Sequence, residues 1–429
     1  MSQIVIASVP IHGHVTPLLA VSTGLVARGH TVRFLTGARF EAAVRRSGAG
    51  FVPLPAAADY DDRVMALEGL DPERGTGIRA MRYDIDHNFF RPARAQYEAL
   101  RRLDPAPDVV LAEPAFVGAT LLAGHPKDQR PAVIGAGVLP LMLSGRSVAP
   151  FGLGLPPLGG PVGVVRNTLL TTLVHRVIFG ELQHRVDDLF DEVHGRPADT
   201  FMTDWLATTD AIVQFSVPAI EYPRPDAAVP VYYAGPVSSA VAGTAPLPDW
   251  WADLDGDRPV VHVTQGTIAN IDFSQLVRPA LDALADAPVL VVVTTGGRPA
   301  AELGPLPANA RAAEFLPYDR LMPRTRVMVT NGGFGGVQYA LEHGVPLVIA
   351  GDTEDKPEVA ARVAWSGAGI NLHTGRPRRD RLRTAVRNTL VRPDYRRAAR
   401  AVARQMRDAR GIDEVDDVIT GVLAAQRAR

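Results

Sequence analysis

The chain has 429 residues, which is more than one hydrophobic core usually holds, so two domains are expected. Its formal net charge of −1, with 46% hydrophobic and 21% charged residues, is typical of a globular protein and argues against a nucleic-acid partner. Cysteine is absent, which excludes disulfides and cysteine-ligated zinc and suits a cytoplasmic protein.

The first third of the chain alternates strand-like and helix-like segments. The apolar run Ile4–Val9 predicts a strand buried on both faces, and it is too short to be the hydrophobic region of a signal peptide. Pro17–Arg28 has helical apolar spacing that ends at Gly29. This βαβ rhythm predicts a parallel, doubly wound sheet. Further strands are predicted at 31–35, 51–54, 108–111 and 132–134, with a short helix at 40–46.

The same rhythm restarts after a proline-rich stretch, 221–258, in which regular elements are not expected and which we interpret as an interdomain linker. The predicted domains are therefore 1–220, which binds the acceptor, and 259–410, which binds a nucleotide sugar. A C-terminal helix is predicted at 411–429, and packing of this helix against the N-terminal domain is one of the arrangements left open. In the second domain, strands are predicted at 260–264, 289–294, 327–330 and 347–350, with a helix at 273–285.

The predicted fold class is α/β, with two doubly wound, Rossmann-like domains facing a cleft. Ligands of open α/β sheets bind at the carboxyl ends of the strands, so the loops after strands are the places to search for a site. The segment 148–165 is too interrupted by glycine and proline to span a membrane and is interpreted as a loop or lid. Segments 56–79 and 151–170 lack clear patterning and are expected to form the rim of an apolar acceptor pocket.

The loop after the first strand carries a candidate base, His14. Thr16 is predicted to cap the next helix and Pro17 to occupy its first position, which puts His14 beside a helix N-terminus. The partial positive charge there disfavours imidazolium, and a general base must be neutral. Glu113 follows another strand and could orient the ring. The alternatives are a histidine that only hydrogen-bonds its loop and a glutamate that is only a surface carboxylate.

The candidate phosphate site is the glycine-rich segment Thr330–Val337, which follows a strand and precedes a helix. Backbone N–H groups at such a helix start can approach an anion closely, although a turn chosen only for its sharp geometry is the alternative. Its glycine spacing is neither a dinucleotide fingerprint nor a P-loop. Two weaker candidates also follow strands: Thr264–Thr267 and Gly351–Lys356. The pairs Asp84/Asp86 and Asp253/Asp255 are interpreted as surface carboxylates, so no metal site is predicted.

These motifs together resemble those of the family 1 GT-B glycosyltransferases, the UDP-glycosyltransferase type, and especially the actinobacterial antibiotic-glycosylating group that acts on macrolides or rifamycin. The resemblance covers nearly the whole chain. It is carried by residues 13–17, 315–317, 330–336 and 355–356. The resemblance implies an inverting, metal-independent transfer of a hexose from a nucleotide sugar, with UDP-glucose as the default donor, to a hydroxyl of an apolar natural product.

The resemblance also implies roles for single residues. His14 matches the catalytic base, and Glu113 stands where the family usually has aspartate. Phe315 matches an aromatic residue that stacks on the nucleobase, Asn331 a phosphate-contacting histidine, and Asp355 an acid that binds sugar hydroxyls. Lys356 stands where glutamine is common, and Gly336 replaces a phosphate-binding serine. The full set of predicted donor contacts is Gly13, Thr264, Gly266, Thr267, Phe315, Leu316, Asn331, Gly332, Gly333, Gly335, Gly336, Val337, Asp355 and Lys356.

Several alternatives stay open on sequence alone. A lipid or cell-wall glycosyltransferase would share the fold, as would a nucleotide-sugar epimerase or a non-catalytic nucleotide-binding relative. The expected partners are the NDP-sugar and a small acceptor, with no nucleic acid and no membrane span. Either a monomer or a homodimer is compatible with the sequence.

Overall fold

The apolar runs of the sequence form two parallel sheets with helices on both faces. The computed structural model describes residues 1–63, 78–237, 247–267 and 270–428. The strands are β1 (Gln3–Ala7), β2 (Thr31–Thr36), β3 (Gly50–Pro53), β4 (Val109–Ala112), β5 (Ala132–Gly137), β6 (Ala211–Gln214), β7 (Val231–Tyr233), β8 (Val260–Thr264), β9 (Leu290–Thr294), β10 (Ala310–Ala313), β11 (Thr325–Thr330), β12 (Leu347–Ile349) and β13 (Gly369–Asn371).

The helices connect these strands in the alternation that the sequence predicts. Short turns of π-helix extend two of them, at Asp86–Phe90 and Val174–Ile178. The α-helices are α1 (His12–Ala27), α2 (Glu41–Arg46), α3 (Ile78–Ile85), α4 (Ala93–Arg101), α5 (Gly118–Ala123), α6 (Gly160–Leu173), α7 (Gly180–His194), α8 (Val277–Leu284), α9 (Tyr318–Leu321), α10 (Phe334–Glu342), α11 (Lys356–Trp365), α12 (Arg379–Val391), α13 (Pro393–Asp408) and α14 (Ile412–Arg427).

The strand order of each sheet reverses at one point, and both reversals lie where the site is predicted. The first sheet has the order β3-β2-β1-β4-β5-β6-β7, and the second has β10-β9-β8-β11-β12-β13. Ala7 pairs with Ala112 at the carboxyl ends of β1 and β4, and Thr264 pairs with Thr330 at those of β8 and β11. Such switch points are the usual ligand sites of doubly wound sheets. The predicted fold class, two doubly wound α/β domains, is confirmed.

Burial on both faces explains why the strands read as continuous apolar runs. Along β1, Ile4 and Ile6 enter one hydrophobic cluster while Val5 and Ala7 enter the cluster on the opposite face. All four side chains are fully buried. The second sheet likewise separates two clusters, one on each face. Each sheet is therefore a rigid platform that holds its loops at one edge.

Helix α1 begins earlier than the sequence predicts, at His12 rather than at Pro17. The predicted cap, Thr16, lies inside the helix, and its hydroxyl donates to the carbonyl of His12 at 2.8 Å. A distant carboxylate performs the capping instead: Oδ2 of Asp62 accepts from the amide of His12 at 2.6 Å. Because of this remote cap, His14 lies in the first helical turn and not in a loop.

Two segments predicted to be irregular contain regular structure. The proline-rich stretch 221–258 includes strand β7, which pairs with β6 and extends the first sheet, and a 3-10 turn at Asp249–Asp255. Residues 238–246 of this stretch lie outside the described residues. In the segment 151–170, helix α6 occupies residues from Gly160 onward. Of the other predicted rim segment, 56–79, residues 64–77 lie outside the described residues.

The C-terminal helix α14 packs against the first domain, not the second. Val415 and Ile419 are fully buried in the cluster that also contains Leu18 and Leu25 of α1. Nε2 of His30 lies 2.9 Å from Oδ1 of Asp416. The chain therefore crosses between the domains twice. No helix within the described part of the chain has the length and apolar character needed to cross a bilayer.

Candidate active site

The first switch point brings together His14 and Glu113. Nδ1 of His14 donates to Oε2 of Glu113 at 3.0 Å, and Glu113 is fully buried. Two backbone amides fix the carboxylate: Val9 donates to Oε1 at 3.1 Å and Ala115 donates to Oε2 at 2.7 Å. With its proton on Nδ1, the imidazole carries a lone pair on Nε2. This pairing of a base with an orienting carboxylate is the arrangement of an activated general base.

The electrostatics of His14 differ from the sequence-based expectation. Burial lowers the pKa of His14, but the charge and hydrogen bond of Glu113, together with Asp355 and Glu354, raise it above its usual 6.5. The prediction that the helix N-terminus keeps the imidazole readily neutral is therefore wrong, because the carboxylates outweigh it. A raised pKa makes the neutral imidazole a stronger proton acceptor.

Asp355 and Glu354 belong to the second domain, so their effect on His14 means that the two domains face each other here. Burial raises the pKa of Asp355 to about 6. Glu354 adopts a left-handed backbone conformation with φ of 56°, which is uncommon for a residue other than glycine. Such strain is characteristic of functional loops.

Lys356 is not available as a free cation. Its ammonium group forms an ion pair with Glu354 and a 3.4 Å hydrogen bond to the hydroxyl of Thr353. The side chain of Lys356 is 5% exposed. The structure thus places Lys356 beneath the loop 351–356, where it neutralises part of the acidic charge that faces the first domain.

The second switch point brings the two predicted phosphate loops into contact. Nδ2 of Asn331 donates to the carbonyl of Gln265 at 2.6 Å. Gly266 and Gly332 both have positive φ, 77° and 97°, and their amides each donate at 3.2 Å to a threonine hydroxyl two residues earlier. Those hydroxyls belong to Thr264 and Thr330. The loops after β8 and β11 therefore form one continuous backbone surface.

Helix α10 begins at this surface. Its N-cap is Gly333, and no side chain of the first turn is acidic, so no carboxylate of this turn opposes an incoming anion. A side chain at Gly333 or Gly335 would meet no atom within 4 Å, which leaves open space at the helix start. Val337, predicted as a donor contact, is instead committed to the helix, because its amide donates to Gly333 at 3.1 Å and its side chain is buried.

Of the two adjacent residues predicted to contact the donor, Phe315 is exposed and Leu316 is buried. The ring of Phe315 is 57% exposed and lies against Gly297, where an added Cβ would come within 2.9 Å of it. The side chain of Leu316 is buried in the core of the second domain. Thr267 is exposed at the end of the loop after β8, beside residues 268–269, which lie outside the described residues.

Two side chains organise the site in a way that the sequence analysis did not predict. Nδ2 of Asn270 donates to the carbonyls of Gly266, Thr295 and Gly296 at 2.7–3.2 Å and so joins the loops after β8 and β9. Oε1 of Gln265 accepts from two amides that precede or begin helix α8. Gln265 lies inside the predicted loop Thr264–Thr267 and Asn270 lies just beyond it. Apart from Gly266, these partners are 11 to 26 residues away in sequence. Polar residues just beyond a strand end were the only signal.

The acidic pairs considered as metal ligands are engaged elsewhere. Asp253 pairs with Arg311 and Asp255 with Arg324 at 2.7 and 2.9 Å. Asp86 was interpreted as a surface carboxylate, but it is buried and accepts from Arg91 and Arg185. Over residues 1–63, 78–237, 247–267 and 270–428, no cluster of three or more histidine or carboxylate side chains could hold a metal ion.

Comparison with known proteins assigns this architecture. Residues 278–419 match the family described as the erythromycin biosynthesis protein CIII-like C-terminal domain. The chain is 39% identical to 4'-demethylrebeccamycin synthase of Lentzea aerocolonigenes, over 98% of this chain and 100% of that protein. It is 33% identical to UDP-glycosyltransferase 2 of Phaeomoniella chlamydospora, over 99% of this chain and 96% of that protein. The crystal structure of the kitacinnamycin glycosyltransferase has a TM-score of 0.72 at 23% identity, covering 98% of this chain and 100% of that one.

Two facing Rossmann-like domains define the GT-B fold, and the structural similarity to the kitacinnamycin glycosyltransferase supports the same assignment. Full-length identity then carries the assignment further: the chain belongs to family 1 of the GT-B glycosyltransferases, in the antibiotic-glycosylating group of natural-product enzymes. It is thus an enzyme that transfers a sugar. The epimerase and the non-catalytic relative considered from the sequence are set aside.

Proposed function

We propose that this glycosyltransferase is inverting and metal-independent, and that it moves a hexose from an NDP-sugar, UDP-glucose in the first instance, to a hydroxyl of an apolar natural product. The acceptor class is a polyketide, macrolide or ansamycin. The observation that carries the proposal is the His14–Glu113 pair of the first domain, which lies within electrostatic reach of Asp355 and Glu354 of the second domain.

In the proposed reaction, Nε2 of His14 removes the proton from the acceptor hydroxyl, and Glu113 stabilises the imidazolium that forms. The acceptor oxygen forms a bond to the anomeric carbon from the face opposite the nucleotide, and the bond from that carbon to the diphosphate oxygen breaks. The diphosphate leaves with the electron pair. One displacement inverts the anomeric configuration.

In this scheme the second domain stabilises the negative charge of the departing nucleotide diphosphate. The start of helix α10 directs backbone amides and the positive end of its dipole to one point, and the loop at Gly266 borders it. Preorganised amides of this kind stabilise an anion without a cation. The metal-independent proposal rests on this set of donors.

Donor and acceptor preferences rest on different features. The exposed ring of Phe315 suits stacking on a nucleobase, and the relative from Phaeomoniella is named a UDP-glycosyltransferase, which supports a uracil base. On the acceptor side, the partly buried apolar side chains of Ile11 and Leu153 lie on the first domain's core, one beside α1 and one in the loop after β5. An apolar acceptor matches them.

The test is a product screen by mass spectrometry with UDP-glucose and dTDP-sugars against aromatic polyketides, macrolides and ansamycins. We expect turnover by the wild type and a loss on the order of 10²–10⁴-fold in His14→Ala, the usual contribution of a positioned base. His184→Ala, which removes an exposed histidine on α7, is the matched control. Full activity of His14→Ala, a product with retained anomeric configuration, or turnover abolished by EDTA would each contradict part of the proposal.

One observation favours a second candidate, a glycosyltransferase acting on a lipid. Helix α6 exposes apolar side chains along one stripe, including Val162, Val165 and Leu169 at 75%, 59% and 67%. Exposed apolar patches of this kind occur at membrane-contacting surfaces. Flotation of the protein with anionic liposomes, together with transfer to a lipid acceptor, would favour this candidate over a free natural product.

A further inference from the structure

A buried arginine joins the two domains at the helix that follows the acidic loop 351–356. Nε of Arg362, on α11, donates to Oε2 of Glu221 at 3.0 Å, and its Nη2 donates to the carbonyl of Leu141 at 3.0 Å. Both partners follow strands of the first sheet. The ring of Tyr222 covers the guanidinium at 4.3 Å. Arg362 is 2% exposed and Glu221 is fully buried at its side chain, so this ion pair is shielded from water.

Glu358, one turn earlier on α11, connects the same arginine to a second point of the first domain. One of its oxygens pairs with Nη1 of Arg362. The other, Oε1, accepts from the amides of Gly152 and Gly154 at 2.9 and 2.8 Å. Gly154 has a φ of 59°, and an added Cβ would lie 2.8 Å from the carbonyl oxygen of Pro357. Backbone from the two domains is therefore in direct contact here.

These bonds fasten both ends of one segment of the first domain, residues 141–154, to a single helix of the second domain. That helix begins at Lys356, directly after Asp355, the residue whose charge reaches His14. Arg362 and Glu358 are paired within one helix, whereas the pair of Arg362 with Glu221 joins the two domains. A buried charge that loses its partner is costly, so separating the domains here would leave the carboxylate of Glu221 without its cation.

We propose that Glu358 and Arg362 are positioning residues that transmit occupancy of the donor site to the acceptor-side segment 141–154 through helix α11. Nucleotide bound at the loops 330–336 and 351–356 steadies α11, and the network of Glu221, Glu358 and Arg362 then holds segment 141–154 in place against that helix. Neither residue touches substrate in this scheme. The inference rests on the proposed donor site.

The test is hydrogen–deuterium exchange with UDP as the probe, which needs no acceptor. In the wild type we expect saturating UDP to slow exchange at 330–336 and, through the network, at 141–154, each by about fivefold or more, the lower range of allosteric coupling. In Glu358→Ala the slowing at 330–336 persists and that at 141–154 disappears.

A second variant approaches the contact from the other side and leaves every charge in place. Gly154→Ala forces the segment away from Pro357, and we expect it to lose the response at 141–154 as Glu358→Ala does. Gly159→Ala is its control, because an added Cβ there meets no atom within 4 Å. Glu98→Gln removes a negative charge from an exposed Glu–Arg pair, so it is the control for the loss of charge in Glu358→Ala. Thermal unfolding checks that each variant is folded. If Glu358→Ala does not fold, the inference is tested with Gly154→Ala alone.

The outcomes separate the inference from the function on which it rests. Slowing at 330–336 with none at 141–154 in the wild type would overturn the inference alone. Slowing at 141–154 that survives in the folded variants would also overturn it, because the effect would then come from direct contact with UDP. No slowing at 330–336 in the wild type would overturn the proposed donor site and the inference with it.

Discussion

The carboxylate of Glu113 holds Nδ1 of His14 at 3.0 Å, although the two residues are 99 positions apart in sequence. The pairing follows from the topology, because β1 and β4 are neighbours at the switch point of the first sheet. Glu113 directly follows β4, and His14 lies in the first turn of the helix that follows β1. Neither side chain has freedom to turn away, since α1 fixes one and two backbone amides fix the other.

Replacing Glu113 by glutamine should move the pH dependence of the reaction. Glu113 raises the pKa of His14, so its neutralisation lowers that pKa. Because only the neutral imidazole acts as a base, the rise of kcat/KM on the acidic side should move to lower pH. The maximal rate should fall on the order of 100-fold as the ring loses its orienting carboxylate. A pH–rate profile with an unmoved acidic limb would show that His14 is not the titrating base.

Asp355→Asn should stabilise the protein in a pH-dependent way while weakening donor binding. The folded state raises the pKa of this carboxyl from 3.8 to about 6. The folded protein therefore holds this proton more tightly, and the group's contribution to stability declines as the pH rises through 6. The asparagine variant should have a higher Tm than the wild type at pH 8, with the difference vanishing near pH 4. An equal difference at both pH values would contradict the buried charge as its cause.

Gly332→Ala should damage the phosphate loop. Its φ of 97° strains any other residue, and the added Cβ would lie 2.8 Å from Cγ2 of Ile349. We expect a loss of about 1–3 kcal/mol in the free energy of unfolding, together with weaker UDP binding. Calorimetry of both quantities is the measurement. Gly421→Ala, inside α14 with open space around it, should leave UDP binding unchanged and raise the free energy of unfolding by about 0.5–1 kcal/mol, because alanine favours a helix.

Phe315→Ala should weaken donor binding with little effect on stability. The ring is 57% exposed, so its truncation removes little buried area. Loss of one aromatic stacking contact, about 0.5–1.5 kcal/mol, should raise the Kd for UDP roughly 2–10-fold. Phe315→Trp, which keeps an aromatic face, should bind UDP at least as well as the wild type. Unchanged affinity in the alanine variant would remove Phe315 from the nucleobase site.

Local pattern predicted the fold of this chain well and its boundaries less well. Alternation of buried strands and amphipathic helices is visible in the sequence, since burial on both faces demands unbroken apolar runs such as Ile4–Val9. The start of α1 was misplaced because its cap, Asp62, comes from 50 residues away. Strand β7 was missed because it is short and the residues around it are rich in proline. Val231–Tyr233 itself contains no proline and forms a strand by pairing with β6.

The sequence by itself determined that strand ends carry His14, Glu113 and the glycine-rich segment, since the order of strands and loops is written along the chain. Only the tertiary structure decided that Glu113, together with Asp355 and Glu354 of the second domain, raises the pKa of His14. The same is true of the pairing of Arg362 with Glu221. The physical reason is that the spacing of apolar residues along the chain reflects which face of a strand or helix is buried, and that is a local property of the sequence. Charge interactions depend instead on distances through space, which folding alone sets.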